Sequence, residues 1–307
     1  QACWPWLGTM ALCPCLRGCF GSAGRSAPAA AAAVAASQAE GRGGEEEPLL
    51  QASGAGPDEV EEDHLPEDDT TWLHPGSSYL PPLVEVPGAP LPLRRVVKPP
   101  DVDALWEWYL EQGKEEADAS WASVWPSAAA LATHLAAEPA TVRGLRVTEL
   151  GAGLGVVGLT AAQVGASRVT LVDREPLALH CAMATASLCG LTTAGVDEQR
   201  LPERCVHAVL SDWGALPVEA DMSVVLGAEV LYDLSEVGSL AQCAARLLGK
   251  GGKVLVADPI PERCPGCRAA FLAEMAKLGG RGSETTLAVP FGDLSVALLT
   301  VDFDQAR

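Results

Sequence analysis

A strand, a glycine-rich turn and an acidic residue follow one another at a spacing that suits a nucleotide-like ligand. Residues 146–173 read RVTELGAGLGVVGLTAAQVGASRVTLVD, with Gly151, Gly153 and Gly155 directly after an apolar strand. Glycine lets a backbone turn sharply and approach a bound molecule closely. A second apolar run ends at Asp173, where a carboxylate can accept hydrogen bonds from both ribose hydroxyls. The segment therefore predicts a nucleotide cradle.

Two ligands compete for this cradle. Residues 153–158, GLGVVG, match the dinucleotide fingerprint GxGxxG, with an acidic residue twenty positions after its first glycine. A dinucleotide turn, however, starts where the strand ends, and the fingerprint read from Gly151 has Val156 in its third glycine position. Glu149 would lie unfavourably beside a pyrophosphate, whereas its carboxylate suits the cationic amino end of S-adenosylmethionine. The pattern favours S-adenosylmethionine over NAD, and a turn that binds nothing is the remaining alternative.

Three further motifs carry a resemblance to a known family. They are VWPSAAALATHL at 124–135, LSDWG at 210–214 and GAEVLYD at 227–233. Together with the acidic residue and three glycines of 149–155, this set resembles methyltransferase family 16 over about residues 120–303. The family contains small seven-strand enzymes, including protein-lysine methyltransferases. The resemblance implies a Rossmann-like α/β fold of the class I methyltransferases: a doubly wound, mostly parallel seven-strand sheet with helices on both faces.

The resemblance also implies a set of residues that bind S-adenosylmethionine: Trp125, Glu149, Gly151, Gly153, Asp173, Asp212 and Trp213. Glu149 and the two glycines correspond to the cradle for the methionine end, and Asp173 corresponds to the acid that binds the ribose. Asp212 and Trp213 correspond to the adenine pocket, with Asp212 near the exocyclic amine. Packing on the core is the alternative role for Trp125, and a turn is the alternative for Asp212.

Glu229 and Tyr232 match the family's acidic-x-x-aromatic motif at the end of the fourth strand. The resemblance implies that they form the rim of the acceptor pocket and act in catalysis. The alternative is a strand-to-helix turn with Tyr232 packed inward. The Asn/Asp-Pro-Pro-Tyr/Phe motif, which marks enzymes that methylate adenine or glutamine amide nitrogens, is absent at this position.

The motifs favour an S-adenosylmethionine-dependent methyltransferase, and the resemblance implies protein lysine as the favoured acceptor. A small-molecule methyltransferase is one alternative, because the fold serves many substrates. A catalytically silent fold that serves as an interaction module is another. The pair Cys264 and Cys267 lacks the further ligands that a zinc site needs, so the sequence predicts no metal site there. An ordinary loop is the prediction, and a redox disulfide is the alternative.

Short apolar runs alternate with helical patterns after residue 101, which predicts the sheet that positions these motifs. The expected strands are 145–150, 168–172, 207–211, 222–227, 253–257 and 294–301. The expected helices between them are 156–164, 176–189, 234–248 and 265–278. Pro126 is expected to open an earlier helix, because proline is favoured in the first helical turn.

Charge and apolar runs limit the classes of partner. The full chain has a net charge of -19 at pH 7, so we expect no nucleic-acid binding. A basic protein substrate would instead be attracted. We find no strongly apolar run of about 18 residues, which predicts no membrane span. Ten scattered cysteines without a disulfide-like framework are typical of an intracellular protein, which we expect to be a monomer.

The first hundred residues differ from the rest. Residues 1–39 contain no acidic residue and are rich in alanine, which is typical of a plastid or mitochondrial transit peptide or of a disordered leader. Without a transit peptide, we expect the cytoplasm. Residues 40–100 are expected to form a linker, acidic to residue 70 and then proline-rich, with its last part wrapping the domain or forming an edge ribbon. The predicted methyltransferase domain spans residues 101–307.

Overall fold

The computed structural model describes residues 81–304, apart from residues 82, 89–90, 195–201 and 217–220. The predicted leader and acidic segment lie outside the described residues. The strands are β1 (Val84–Pro87), β2 (Arg95–Lys98), β3 (Arg146–Leu150), β4 (Arg168–Asp173), β5 (Cys205–Leu210), β6 (Met222–Ala228), β7 (Leu248–Pro259), β8 (Gly280–Ala288) and β9 (Ser295–Phe303). The helices are α1 (Val102–Glu111), α2 (Pro126–Ala137), α3 (Val156–Gln163), α4 (Pro176–Leu188), α5 (Val237–Leu247) and α6 (Cys267–Lys277).

Seven strands form one sheet in the order β5-β4-β3-β6-β7-β9-β8. Strands β3 to β7 pair in parallel, whereas β9 pairs antiparallel with both β7 and β8. The chain runs outward from β3 to β5 and then crosses back to β6 beside β3. The prediction of a doubly wound, mostly parallel sheet is confirmed.

Helices cover both faces of this sheet because its central strands bury side chains on both sides. On β3, Val147 packs in one apolar cluster with Leu131 of α2 and Leu159 of α3. Leu150 of the same strand packs in a second cluster with Phe271 of α6. Each face of the sheet therefore has its own core.

The proline-rich segment forms an antiparallel ribbon of β1 and β2, separate from the main sheet. Val96 and Val97 of the ribbon are buried, and the backbone N–H of Val97 donates to Oγ1 of Thr185 in α4 at 2.8 Å. The ribbon thus packs against a helix of the sheet, and the boundary at residue 101 stays a prediction.

Strand β8 was not expected from the sequence. Its residues GRGSETTLA are polar and mostly exposed, so no apolar run marks it. It lies at the edge of the sheet and pairs with β9 from Gly280↔Phe303 to Ala288↔Ser295. Backbone hydrogen bonds to β9 stabilise this strand, and the pattern of its side chains does not indicate that pairing. In the described part of the chain, no helix is long and apolar enough to cross a membrane.

Candidate functional site

The sequence motifs meet at one edge of the sheet. Strands β3, β4, β5 and β6 are parallel, and register pairs such as Leu150↔Gly227 and Asp173↔Leu210 show that they end together. We call this the carboxyl edge. Loops that follow neighbouring parallel strands lie side by side there, which is where open α/β sheets bind ligands.

The turn after β3 needs its glycines. Gly151 has a φ of 63°, and a Cβ on it would lie 2.8 Å from Cγ1 of Val230. The backbone N–H of Gly153 donates to Oδ2 of Asp173 at 2.7 Å. The turn is therefore tied directly to the end of β4, and a side chain at residue 151 would collide with Val230.

Asp173 is partly buried at the end of β4. Its Oδ1 accepts from the N–H of Glu175 at 2.9 Å, while Oδ2 accepts from Gly153. Burial raises the pKa of the carboxyl, and the backbone N–H donors oppose that rise. The two donors hold the carboxylate in one orientation, with lone pairs left for a ligand hydroxyl.

Glu149 lies beneath the glycine turn and is 2% exposed. Its Oε2 accepts from the N–H of Gly158, in the first turns of α3, at 2.8 Å. Burial raises the pKa of Glu149 to about 8, and the nearby Asp173 adds to the rise. A cationic group arriving beside this carboxyl would favour its ionised form.

Asp212 and Trp213 follow β5. Oδ1 of Asp212 accepts from the backbone N–H of Trp213 at 2.7 Å, which fixes the turn. The Trp213 indole is buried beside the glycine turn, because a Cβ on Gly151 would lie 3.8 Å from its Cζ2. Tyr232 lies next to it, with 6.4 Å between the ring centroids. Tyr232 is 41% exposed, so the alternative in which it packs inward is wrong.

Glu229 joins three separate segments. It has a φ of 56°, unusual for a residue other than glycine, and its side chain is only 4% exposed. Its Oε1 accepts from the N–H of Ser127, in the first turn of α2, at 3.1 Å. Its Oε2 forms an ion pair with the Arg263 guanidinium. That guanidinium also stacks 4.2 Å from the ring centroid of Trp125.

Arg263 is the site residue that sequence reasoning missed. It belongs to none of the motifs and lies 34 residues after Glu229. Trp125 contacts Arg263, and Arg263 pairs with Glu229, so Trp125 belongs to the group of residues around Glu229. The structure therefore groups the site residues into two clusters at the carboxyl edge. One cluster surrounds Asp173 and Trp213, and the other surrounds Glu229.

A second ionic cluster lies next to Arg263. Nε of Arg268 is 3.2 Å from Oδ2 of Asp258 and 3.0 Å from Oε1 of Glu262. Burial raises the pKa of Asp258 to about 7, and the nearby Arg268 opposes the rise. This cluster was also not predicted.

Cys264 and Cys267 form a disulfide at the start of α6. The prediction of an ordinary loop at this pair is therefore wrong. Among the residues that the structure describes, no group of three or more His, Cys, Asp or Glu side chains could hold a metal ion.

Comparison with known proteins identifies relatives of this chain. A family model described as lysine methyltransferase matches residues 108–263. Protein N-lysine methyltransferase METTL21A of Danio rerio is 36% identical over 117 residues, which cover 36% of this chain and 48% of that protein. Electron transfer flavoprotein beta subunit lysine methyltransferase of Mus musculus is 38% identical over 74 residues, which cover 24% of this chain and 29% of that protein.

A relative named for a different acceptor also matches. Histone-arginine methyltransferase METTL23 of Rattus norvegicus is 30% identical over 135 residues, which cover 43% of this chain and 55% of that protein. The chain spans about half or less of the length of these three curated relatives.

Proposed function

Because the chain belongs to the lysine methyltransferase family, whose model matches residues 108–263, we propose that it is an S-adenosylmethionine-dependent protein-lysine N-methyltransferase. The observation that carries the proposal is the meeting of the glycine turn, Asp173, Trp213 and Glu229 at the carboxyl edge. This arrangement supports a nucleoside site at the carboxyl edge, with the rim of the acceptor pocket beside it.

The residues of the carboxyl edge fit S-adenosylmethionine. The space beside Gly153, where a Cβ would meet no described residue nearer than the Trp121 carbonyl oxygen at 4.0 Å, suits a ligand that approaches the backbone closely. Asp173 would hold the ribose hydroxyls, and Trp213 would pack against the adenine with Asp212 near its exocyclic amine. The buried Glu149, whose pKa is raised to about 8 by burial, suits the cationic amino end. When bound, this cofactor supplies an electrophilic methyl group on a sulfonium.

The chain's own residues would orient the acceptor and control its proton. A lysine has an unperturbed pKa of about 10.4, so it must lose a proton before its nitrogen can attack. That proton would leave to solvent, and the neutral nitrogen could then accept the methyl group that the bound cofactor would supply. Tyr232, exposed beside Trp213, offers an aromatic face to the arriving ammonium. Glu229 would form the wall of the pocket.

The surface around the site favours a basic protein as the acceptor. The exposed acids Asp233 and Glu236 follow β6, and the exposed Asp293 precedes β9, whose start pairs with the end of β7. Large apolar side chains are exposed on the same loops: Leu234 is 55% exposed and Leu294 is 52% exposed. Apolar anchors among acidic side chains suit a protein surface better than a small metabolite.

Label transfer tests the proposal. The full chain is incubated with methyl-labelled S-adenosylmethionine and either desalted cell protein or the small-molecule fraction, and Asp173→Ala is compared with the wild type. We expect a labelled protein band that the variant loses. Its cofactor affinity, measured by calorimetry, should fall by about 10- to 100-fold, because hydrogen bonds to a charged group are lost.

Asp302→Ala is the matched control, since Asp302 lies on β9 next to Lys253 at the opposite end of the sheet. It should keep both transfer and cofactor affinity. Mass spectrometry of the labelled band identifies lysine or arginine as the acceptor. Label confined to small molecules would overturn the protein substrate, and cofactor binding without any transfer would favour a silent fold that serves as an interaction module.

We also propose that the protein is a monomer within the cell, in the cytoplasm or, with a transit peptide, in a plastid or mitochondrion. Sedimentation of the purified chain measures its oligomeric state. Imaging of the tagged chain in cells identifies its compartment.

A further inference from the structure

We propose that Arg263 cancels the charge of Glu229, so that the acceptor pocket presents a neutral wall and favours the neutral form of the lysine amine. The inference rests on the proposed function. It makes Arg263 a positioning residue that acts through Glu229.

The geometry leaves Glu229 little freedom to bind an ammonium. Its side chain is 4% exposed, one oxygen accepts from the N–H of Ser127, and the other is paired with Arg263. Arg263 is itself held by the ring of Trp125, with 4.2 Å between the guanidinium carbon and the ring centroid. An arriving amine therefore meets an ion pair that is already formed.

A separate ionic cluster lies beside this ion pair. Facing it from the end of β7, the loop that follows and α6 are Asp258, Glu262 and Arg268, and Arg268 also pairs with Glu284 of β8. Burial raises the pKa of Asp258 to about 7, so Asp258 is partly protonated near neutral pH. Arg268 is thus shared by Asp258, Glu262 and Glu284, whereas the Arg263 guanidinium pairs with Glu229. Ser127, on the α2 side, adds no charge.

A neutral wall has a direct consequence for an amine nucleophile. A free carboxylate beside the amine would stabilise the ammonium and raise its pKa. The same carboxylate paired with a guanidinium loses most of that effect, so the amine gives up its proton at lower pH.

The test compares three variants with the wild type in the pH dependence of kcat for the labelled protein, because kcat reports the groups that titrate in the enzyme–substrate complex. Arg263→Gln leaves Glu229 unpaired, and the acid limb should move up by about one pH unit, a tenfold loss at a pH on that limb. Arg263→Lys keeps the charge and should stay near the wild type. The double variant Glu229→Gln/Arg263→Gln restores neutrality and should move the limb back.

Two controls separate other causes. Asp258→Asn removes the neighbouring group that titrates near neutral pH, and the shift caused by Arg263→Gln should persist in that background. Arg281→Gln removes an exposed arginine paired with Asp304 on another face and should change nothing. A uniform loss at every pH in both the single and the double variant would overturn the inference. A rise in the activity of Arg263→Gln without a shift of the acid limb would also overturn the inference, because Arg263 would then only block access to the pocket.

A second measurement needs no methyl transfer, so it separates this inference from the proposed function. n-Butylammonium chloride, a model of the lysine side chain, is titrated into each protein with S-adenosylhomocysteine present, and tryptophan fluorescence is followed. Arg263→Gln should bind it about tenfold more tightly than the wild type or the double variant, because Glu229 is then a free anion. Equal affinities would contradict the inference even if the wild type methylates protein.

Discussion

At the scale of the residue, buried Glu149 makes stability depend on pH. Its pKa is raised to about 8 by burial, so the folded state holds a proton that the unfolded chain releases near the ordinary value of 4.5. The contribution of Glu149 to the stability of the folded state is fully present below pH 4.5 and is lost as pH rises through about 8. We expect Glu149→Gln to gain stability relative to the wild type between pH 5 and pH 8, by a few kcal/mol. Denaturant unfolding without cofactor measures this. The exposed variant Glu107→Gln should show the same pH dependence of unfolding free energy as the wild type. The prediction is contradicted if the unfolding free energy of Glu149→Gln changes with pH in parallel with that of the wild type.

At the scale of the element, one buried hydrogen bond holds the β1–β2 ribbon on α4. The N–H of Val97 donates to Oγ1 of Thr185, which is fully buried. Thr185→Val keeps the shape but leaves this N–H without its acceptor, so we expect a loss of about 1–3 kcal/mol in unfolding free energy. Thr185→Ser keeps the hydroxyl and should lose less. Equal stability of the valine and serine variants would show that the bond does not hold the ribbon.

At the scale of the whole molecule, the charge of -19 should guide a basic substrate to the carboxyl edge. We expect kcat/KM for the labelled protein to fall several-fold between about 50 and 300 mM NaCl, with kcat nearly constant, because salt screens attraction between exposed charges. Glu236→Gln/Asp293→Asn should reduce this dependence. The matched pair Asp302→Asn/Asp304→Asn, on β9 and just after it, should leave it unchanged. A rate independent of salt would exclude electrostatic guidance.

Local patterns made the glycine turn and most of the sheet predictable. Gly151, Gly153 and Asp173 follow apolar strands at fixed distances, so their meeting depends only on two neighbouring strands. Strand β8 was missed because its side chains are polar and its partner β9 determines its conformation. At the start of α6 the sequence favoured a plain loop over a disulfide, because two cysteines three residues apart are compatible with both.

The sequence by itself determined the fold class and the order of the motifs, because apolar periodicity and glycine placement act over a few residues. Only the tertiary structure decided what surrounds Glu229. Its contacts come from Ser127, 102 residues earlier in the chain, and Arg263, 34 residues later. Such contacts exist only after the sheet brings β6 and β7 side by side and α2 packs above them. The identity of the acid was readable from a motif, whereas its ion pair comes from Arg263, which no motif contains.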